Sequence, residues 1–319
     1  MFSWHFMTKK QISISFILLL TFLLLLFHPA LAFKGSCNGL TLWFETVLPT
    51  LFPYLILSDI LLSTGAAYTI ASVIHPVCTS IFHTTKGGSF VVLIGFLCGF
   101  PLGAKMVADL TSSQCISKKE GQYLLSICNN TSPGFIMNFL VLHALEQKQL
   151  LLPTLSILFL SPLLVSFFTR KYYLHINTID SHFELSSQQT QTDFFPALEH
   201  ALAAASESLL KIGGYIMLFS IFLSISTHTC ASLPLINVLL PLLEITNGIQ
   251  SISTLALPWK QRYVYSVALT AFGGLCSVAQ TNSMIQHSGL SIRNYIKEKL
   301  AVAITASLLS FVFIHLFLH

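Results

Sequence analysis

Residues 95–110, GFLCGFPLGAKMVADL, hold the densest group of side chains and backbone groups that could contact a solute inside an apolar chain. Gly95, Gly99 and Gly103 stand four residues apart, so on a helix they lie on one ridge and let another backbone approach closely. Pro101 removes a backbone hydrogen-bond donor from the same segment and kinks or breaks the helix. The pattern indicates either a discontinuous helix whose free backbone groups line a cavity, or a kinked helix whose glycines serve only close packing.

A second interruption follows in residues 128–134, CNNTSPG. Asn129, Asn130, Thr131 and Ser132 place four hydrogen-bonding side chains in a row, and the proline that follows biases Ser132 away from helical geometry. Such a segment frees amides and carbonyls at mid-depth in a membrane, where uncharged donors and acceptors suit a polar solute or a cation. The alternative is a loop that merely reaches the membrane interface.

The second half of the chain contains a similar glycine interruption and similar polar residues. Gly273 and Gly274 interrupt an apolar stretch, and Gln280 and Asn282 follow them. Asn247 lies near the end of another apolar element. We predict that these residues contact the same solute as the two interruptions in the first half.

Charged side chains are so rare in this chain that each one needs a reason. Lys105 and Asp109 have i,i+4 spacing, as have Glu207 and Lys211, so each pair can meet on a helix. Glu244 stands alone beside an apolar run. A charge at the bilayer centre costs roughly 2.5–3.5 kcal/mol on insertion scales, so these groups either face a solute or ion path or lie at helix ends and in internal pairs. We include Lys105, Asp109, Glu207 and Glu244 among the candidate solute-binding residues.

The amino-acid composition indicates whether water or lipid surrounds these residues. Of 319 residues, 54% are hydrophobic and 9% are charged, whereas a soluble globular domain is typically about 25% charged. An ordinary water-soluble enzyme is therefore excluded. Several stretches lack Asp, Glu, Lys and Arg and are long enough to cross a bilayer, which takes roughly 20 residues as a helix. They are residues 11–33, 60–85, 121–145, 149–169, 212–243, 263–292 and 300–319.

Lipid cannot satisfy backbone hydrogen-bonding groups, and the chain lacks the alternation of barrel strands, so these crossings must be helices. We predict an all-α fold, a polytopic transmembrane helical bundle with the lipid bilayer as its partner. The net charge of +4 comes from short Lys and Arg clusters typical of loop ends in membrane proteins. It gives no indication of nucleic-acid binding.

The apolar elements fall into two similar blocks. Residues 40–145 and 194–319 each contain four elements and a Gly-rich break, and residues 146–193 supply a linking helix and a polar loop. Residues 1–33 form either a retained transmembrane helix or a signal-like segment, because an apolar run precedes an Ala-Leu-Ala pattern. An odd number of crossings separates the blocks, which predicts two inverted repeats with broken helices.

The positions of Lys and Arg fit this topology only in part. If the N-terminus is inside and every element crosses, Lys118, Arg170 and Lys260 fall inside, as the positive-inside rule expects. Arg293, Lys297 and Lys299 then fall outside. Either one element is re-entrant or the rule is weak for this chain.

No constellation for catalysis is evident. The chain contains no His-Glu-x-x-His motif and no Gly-x-Ser-x-Gly motif, which mark zinc hydrolases and serine hydrolases. The histidines are dispersed without ligand spacing, and the seven cysteines, mostly within apolar stretches, are typical of packing residues. We predict that the protein is not an enzyme and has no catalytic residues, metal site or cofactor.

The motifs in residues 95–110 and 128–134, with Phe272-Gly273-Gly274-Leu275 and Gln280, resemble the sporulation integral membrane protein family of the YlbJ type. That family is grouped with the Gate or nucleoside-recognition domains, which also occur in nucleoside transporters and ferrous-iron transport proteins. The resemblance spans residues 40–318 in order. It implies a multi-pass protein of a bacterial plasma membrane with a role in spore formation, and it implies no particular substrate. The residues that match the family pattern are Gly95, Gly99, Pro101, Gly103, Lys105, Asn130, Ser132, Pro133, Gly273, Gly274 and Gln280.

Two functions follow as hypotheses. The first is transport or gating of a small polar solute, nucleoside-like or an ion, during spore formation. It predicts that Asn130 and Gln280 converge on one polar cavity. The alternative is a membrane scaffold that transports nothing and serves spore envelope or cortex assembly, as a homo-oligomer or with sporulation membrane partners.

Overall fold

The computed structural model describes residues 9–173, 193–229 and 234–317, and these residues are helical apart from short connections. Most of the polar loop predicted within residues 146–193 lies outside the described residues. The helices in chain order are α1 (Lys9–Phe27), α2 (Pro29–Leu42), α3 (Leu48–Ser63), α4 (Ala66–Phe82), α5 (Lys86–Cys98), α6 (Leu102–Ser112), α7 (Lys118–Cys128), α8 (Phe135–Ala144, π-helical), α9 (Leu151–Tyr173), α10 (Phe194–Thr229), α11 (Pro234–Leu239), α12 (Ile245–Ser253), α13 (Trp259–Phe272), α14 (Gly274–Ile285) and α15 (Ile292–Phe317).

Five helical stretches among the described residues are long and apolar enough to cross a membrane. This confirms the predicted helical membrane protein. α2 and α3 form one of the stretches, joined by a π-helical turn at Trp43–Val47, and α13 and α14 form another. The stretches are Pro29–Ser63, Lys148–Tyr173, Phe194–Thr229, Trp259–Ile285 and Ile292–Phe317. α4 and α5 pass the same test only as a pair, and they are bent by 87° at their junction.

α5 and α6 fold back on each other as a hairpin. A methyl group on either Gly95 or Gly103 would overlap the same atom, the carbonyl oxygen of Cys128. Two residues on opposite sides of the Gly-Pro segment therefore lie side by side, which a single kinked helix could not achieve. The turn lies at Gly99, whose φ of 81° is one that glycine adopts without a steric cost.

α7 begins beside the open end of this hairpin, which we call its base. It ends at a break beside the turn of the hairpin, which we call its tip. At the base, the backbone N–H and the hydroxyl of Thr85 donate to Oε1 of Glu120 at 2.8 and 2.9 Å. At the tip, the backbone N–H of Phe100 donates to the carbonyl oxygen of Asn130 at 2.6 Å. Beyond the break at residues 129–134, the chain continues as α8. α7 and α8 thus form one broken helix beside the first hairpin.

A second hairpin is formed by α11, its 3-10 extension Leu240–Leu242, and α12. Its base lies beside the start of α13, where the guanidinium of Arg262 donates to the carbonyl oxygen of Ser253. Its tip meets the break between α13 and α14, where the backbone N–H of Cys276 donates to the carbonyl oxygen of Leu243 at 2.9 Å. Each hairpin is therefore followed by a broken helix, and in each case the hairpin tip contacts the break.

The two hairpins enter the bundle from opposite ends. The side chain of Gln122, at the start of α7, bonds both backbone polar groups of Ser291, just after α14, at 2.7 and 3.1 Å. Because α13 and α14 form one continuous stretch, α13 begins at the other end of the bundle. We call these two ends the Lys118 end and the Lys260 end.

The second hairpin also corrects the predicted sidedness. It turns back within the bundle, so Lys260 and Arg262 lie at the opposite end from Lys118. Arg293 and Lys297, at the start of α15, lie at the Lys118 end. The interpretation in which every element crosses the membrane is therefore wrong. A hairpin returns the chain to the end of the bundle from which it entered, so the elements after it lie at the opposite end from the one expected for a crossing element.

Candidate functional site

Both hairpin tips and both helix breaks line one central cavity of about 520 Å³. The first tip supplies Phe100 and Pro101, and the break beside it supplies Thr131 and Ser132. The second tip supplies Glu244, Ile245 and Thr246, and the break beside it supplies Gly273, Cys276, Ser277 and Gln280. Non-helical backbone at membrane depth is tolerated where it is buried in protein or lines a cavity. The convergence of four breaks accounts for the position of this cavity in the fold.

Glu244 is the charged residue in this lining, and its carboxylate already accepts hydrogen bonds from the protein. Its oxygens accept hydrogen bonds from the backbone N–H groups of Thr246 and Asn247 at 3.0 and 2.8 Å, and from Nδ2 of Asn247 at 2.9 Å. The carboxylate therefore caps the N-terminus of α12, where a negative charge is stabilised by free N–H groups and by the helix dipole. Among the described residues that line the cavity there is no Lys, Arg or His.

Aliphatic, aromatic and uncharged polar side chains form the rest of the lining of the central cavity. Several of these residues, which come from α2–α3 and α8, were not predicted from the sequence. The signal for the α3 group was the pair Pro49 and Pro53 within an apolar helix, since prolines there free carbonyls near the polar side chains. The missed residues are Thr46, Thr50, Tyr54, Phe135, Asn138 and Phe139.

A second cavity, of about 530 Å³, lies at the Lys118 end, and we call it the vestibule. Nζ of Lys105 lies 2.6 Å from Oδ1 of Asp59 and 3.1 Å from Oδ2 of Asp109. Glu207 and Lys211 form another ion pair at 2.6 Å. Both predicted i,i+4 pairs are thus confirmed, and all five charged residues line the vestibule.

An apolar layer separates the two cavities. It consists of Leu51, Leu55, Leu102, Ile212 and Met284, which surround a void too small to hold a water molecule. Pro101 of the central cavity and Lys105 of the vestibule also line this void. Four helices pass from one cavity to the other through this layer. On α10, for example, successive turns face the central cavity, the layer and the vestibule. The structure therefore holds two cavities with a narrow, mostly apolar barrier between them.

The structure distributes the predicted binding residues over three places. Those that line the central cavity are Pro101, Thr131, Ser132, Glu244, Gly273 and Gln280. Those that line the vestibule are Lys105, Asp109 and Glu207. Those that line neither cavity are Gly99, Asn129, Asn130, Asn247, Gly274 and Asn282.

The residues outside both cavities have structural contacts instead. Gly99 lies so close to the break between α7 and α8 that a methyl group on it would stand 2.6 Å from the backbone nitrogen of Ser132. Gly274 faces the tip of the second hairpin, with a φ of 78°. Asn247 bonds Glu244 and Ser220, and Asn282 is exposed on α14.

Asn130 does not share the central cavity with Gln280. Its Oδ1 accepts a hydrogen bond from Nζ of Lys299 at 3.0 Å, and its Nδ2 donates to the carbonyl oxygen of Ile127. Gln280 lines the cavity, and its Nε2 contacts Sγ of Cys276 at 3.3 Å. The predicted convergence of Asn130 and Gln280 on one cavity is therefore wrong for Asn130. Thr131 and Ser132, the two residues after it, line the cavity with Gln280 instead.

The chain is similar to the sporulation integral membrane protein YlbJ of Bacillus subtilis (strain 168). The two are 26% identical over 320 residues, which cover 88% of this chain and 77% of YlbJ. No protein-family model matches the chain. No solved structure matches it.

Proposed function

We propose that the protein carries a small uncharged polar solute, such as a nucleoside, across a bacterial plasma membrane by way of the central cavity and the vestibule. The observation that carries this proposal is the convergence of two hairpin tips and two helix breaks on one cavity of about 520 Å³. Broken helices that meet near the middle of a bundle are where secondary transporters bind their substrates.

The lining of the central cavity supports an uncharged solute. The cavity offers no Lys, Arg or His among its described residues, and the carboxylate of Glu244 is occupied by helix capping. Tyr54 and Phe139 supply aromatic faces, and Gln280 and Asn138 supply amide groups. Apolar walls with a few convergent polar groups are typical of sites for small ring compounds with hydroxyl or amide substituents.

The hairpins support an inverted-repeat architecture of the Gate kind. Each block contains a hairpin followed by a broken helix, and the two hairpins enter from opposite ends of the bundle. In folds of this kind, one repeat rocks against the other so that a fixed site opens to each side in turn. The apolar layer between the cavities is then the barrier that such a movement opens.

The similarity to YlbJ supports a role in spore formation. It extends over 88% of this chain, so it includes both hairpins and both breaks. We therefore propose that the solute moves in a sporulating cell and that the protein lies in its plasma membrane. The alternative role, a scaffold for spore envelope or cortex assembly, predicts that the cavity-lining polar groups are dispensable.

Uptake by purified protein in liposomes tests the proposal. The assay uses labelled uridine, adenosine, a hexose and a neutral amino acid, with protein-free liposomes as the baseline. We expect at least one of these solutes to enter faster with the protein. Gln280→Leu keeps the volume of the side chain and removes its hydrogen-bonding groups, so we expect uptake to fall roughly tenfold, the effect of one lost hydrogen bond to the solute.

Asn282→Leu is the matched control, because Asn282 lies two residues further along α14 and faces away from the cavity. It should leave uptake unchanged. If no solute enters faster than in protein-free liposomes, the transport proposal is wrong and the scaffold alternative stands. If Gln280→Leu and Asn282→Leu both transport normally, the solute does not use the central cavity.

A further inference from the structure

Lys299 is a cation buried inside a helix that is long and apolar enough to cross a membrane. It belongs to α15, and its side chain is 1% exposed. Tyr295 and Val302, one turn before and one turn after it, are also buried. An ammonium group in such surroundings loses its hydration, so it is retained only where other groups compensate for the lost water.

The acceptor that the structure shows for this ammonium is uncharged. None of the ion pairs found among the described residues involves Lys299. Its Nζ donates to Oδ1 of Asn130 at 3.0 Å. The ammonium is therefore held by an amide oxygen at the break between α7 and α8, and not by a carboxylate.

Asn130 places this ammonium at the end of a half-helix. α7 ends at Cys128, so its last carbonyl groups lack helical donors and carry a partial negative charge. Asn130 also donates to the carbonyl oxygen of Ile127, and its own carbonyl oxygen accepts the N–H of Phe100 at the hairpin tip. One residue thus joins the ammonium, the end of α7 and the tip of the first hairpin.

In transporters with broken helices, half-helix C-termini and unwound carbonyls coordinate the coupling cation. We propose that Lys299 is a resident cation, whose ammonium fills a monovalent-cation site at the end of α7. The wild-type protein therefore needs no dissolved Na⁺ or K⁺ at this site, and loss of the side chain opens the site to such an ion. The consequence for solute uptake rests on the proposed function, whereas the existence of the site does not.

Thermal unfolding of the purified full chain tests the site without any transport measurement. Lys299→Ala is compared in sodium chloride, potassium chloride and choline chloride at equal ionic strength. We expect Na⁺ or K⁺ to raise the Tm of Lys299→Ala by about 5 °C relative to choline, because an ion that binds only the folded state stabilises it. The wild type and Lys297→Ala, an exposed control on the same helix, should show no such difference.

Uptake in proteoliposomes tests the consequence. We expect wild-type uptake to be the same in all three salts. Uptake by Lys299→Ala should fall roughly tenfold in choline and recover in the salt that raises its Tm, a coupling of ordinary size between two sites. If the wild type transports nothing while the Tm of Lys299→Ala depends on the cation, the proposed function fails and the resident-cation site stands.

Lys299→Gln separates the charge from the hydrogen bond, since glutamine can still donate to Asn130 without carrying a charge. The proposal predicts that Lys299→Gln unfolds at a lower temperature than the wild type in choline. If Lys299→Gln matches the wild type, or if no cation changes the Tm of Lys299→Ala, the proposal is overturned. If both variants are recovered only as aggregates in every salt, no dissolved cation replaces the ammonium, and the proposal is equally overturned.

Discussion

Asn129 connects helices from both halves of the chain through one buried side chain. Its Nδ2 donates to Oγ1 of Thr281 at 2.8 Å and to the hydroxyl of Tyr295 at 2.9 Å. Its Oδ1 accepts the backbone N–H of Ala104 at 3.2 Å. Because the residue is fully buried, no water can replace these partners. Asn129 therefore links the first hairpin to α14 and α15 by hydrogen bonds, and its side chain does not face the central cavity.

We predict that Asn129→Ala destabilises the protein by about 2 kcal/mol, because buried polar partners lose their hydrogen bonds. The measurement is thermal unfolding of the purified protein in detergent. Asn282→Ala is the control, since its side chain is exposed, and it should unfold like the wild type. An unchanged Tm for Asn129→Ala would show that its hydrogen bonds contribute no net stability.

At this scale, the sequence predicts local partners well and distant partners poorly. The pairs Lys105–Asp109 and Glu207–Lys211 were predictable, because helical geometry alone brings residues four apart together. The third member of the first group, Asp59, comes from another helix, so only the tertiary packing reveals it. The same holds for Asn130, whose partner Lys299 lies 169 residues further along the chain.

The first hairpin depends on close backbone contacts that only glycine permits. Gly95 and Gly103 pack against the carbonyl oxygen of Cys128, which leaves no space for a side chain on either. Gly99 combines a positive φ with contact to the backbone of Ser132. Of the two alternatives for residues 95–110, the structure shows the broken segment, and the single kinked helix is wrong. The glycines of the broken segment also pack closely, Gly99 at the turn and Gly95 and Gly103 in the helices on either side of it.

We predict that Gly99→Ala destabilises the protein by about 3 kcal/mol, since alanine would be strained at this φ and would overlap a backbone that cannot move freely. Gly214→Ala is the matched control. Gly214 lies within α10 with open space around it, so the same change there should stabilise the protein by about 0.5–1 kcal/mol. The Tm of each variant, measured by thermal unfolding, checks this prediction. Equal Tm values for the two variants would contradict the role assigned to the turn.

The second hairpin carries a weaker form of the same signal. Its turn at Leu243 and Glu244 contains no glycine and no proline, and the carboxylate of Glu244 caps α12. Pro241 and Gly248 flank the turn, and a methyl group on Gly248 would overlap the carbonyl oxygen of Pro241. A helix that turns back and a helix that crosses have similar apolar composition, because both lie in the same solvent. The Phe-Gly-Gly motif suggested the break in α13–α14, but the sequence did not indicate that a hairpin tip meets it.

At the scale of the whole molecule, basic residues concentrate at the Lys118 end. The residues at or near that end are Lys86, Lys118, Lys119, Arg170, Lys171, Arg293 and Lys297. The residues at or near the Lys260 end are Lys34, Lys148, Lys260 and Arg262. Cytoplasmic ends of membrane proteins carry the excess of Lys and Arg. We therefore predict that the vestibule faces the cytoplasm and that the apolar layer closes the central cavity on that side.

Labelling with a membrane-impermeant maleimide in intact cells checks this orientation. Ser112→Cys and Ala256→Cys, exposed at the Lys118 end and the Lys260 end respectively, are made after Cys37 and Cys230 are replaced by serine. We expect Ala256→Cys to react in intact cells and Ser112→Cys to react only after the membrane is opened. Reaction of Ser112→Cys alone in intact cells would mean that the molecule is inserted the other way round.

Counterflow in proteoliposomes tests the central claim most directly, that the central cavity carries solute from one end of the bundle to the other. Liposomes that contain the wild-type protein are loaded with an unlabelled solute and diluted into the labelled form. A cavity that opens alternately to the two ends predicts faster initial uptake into loaded than into empty proteoliposomes, and loss of that difference in Gln280→Leu. Uptake equal to that of protein-free liposomes, loaded or empty, would contradict the account.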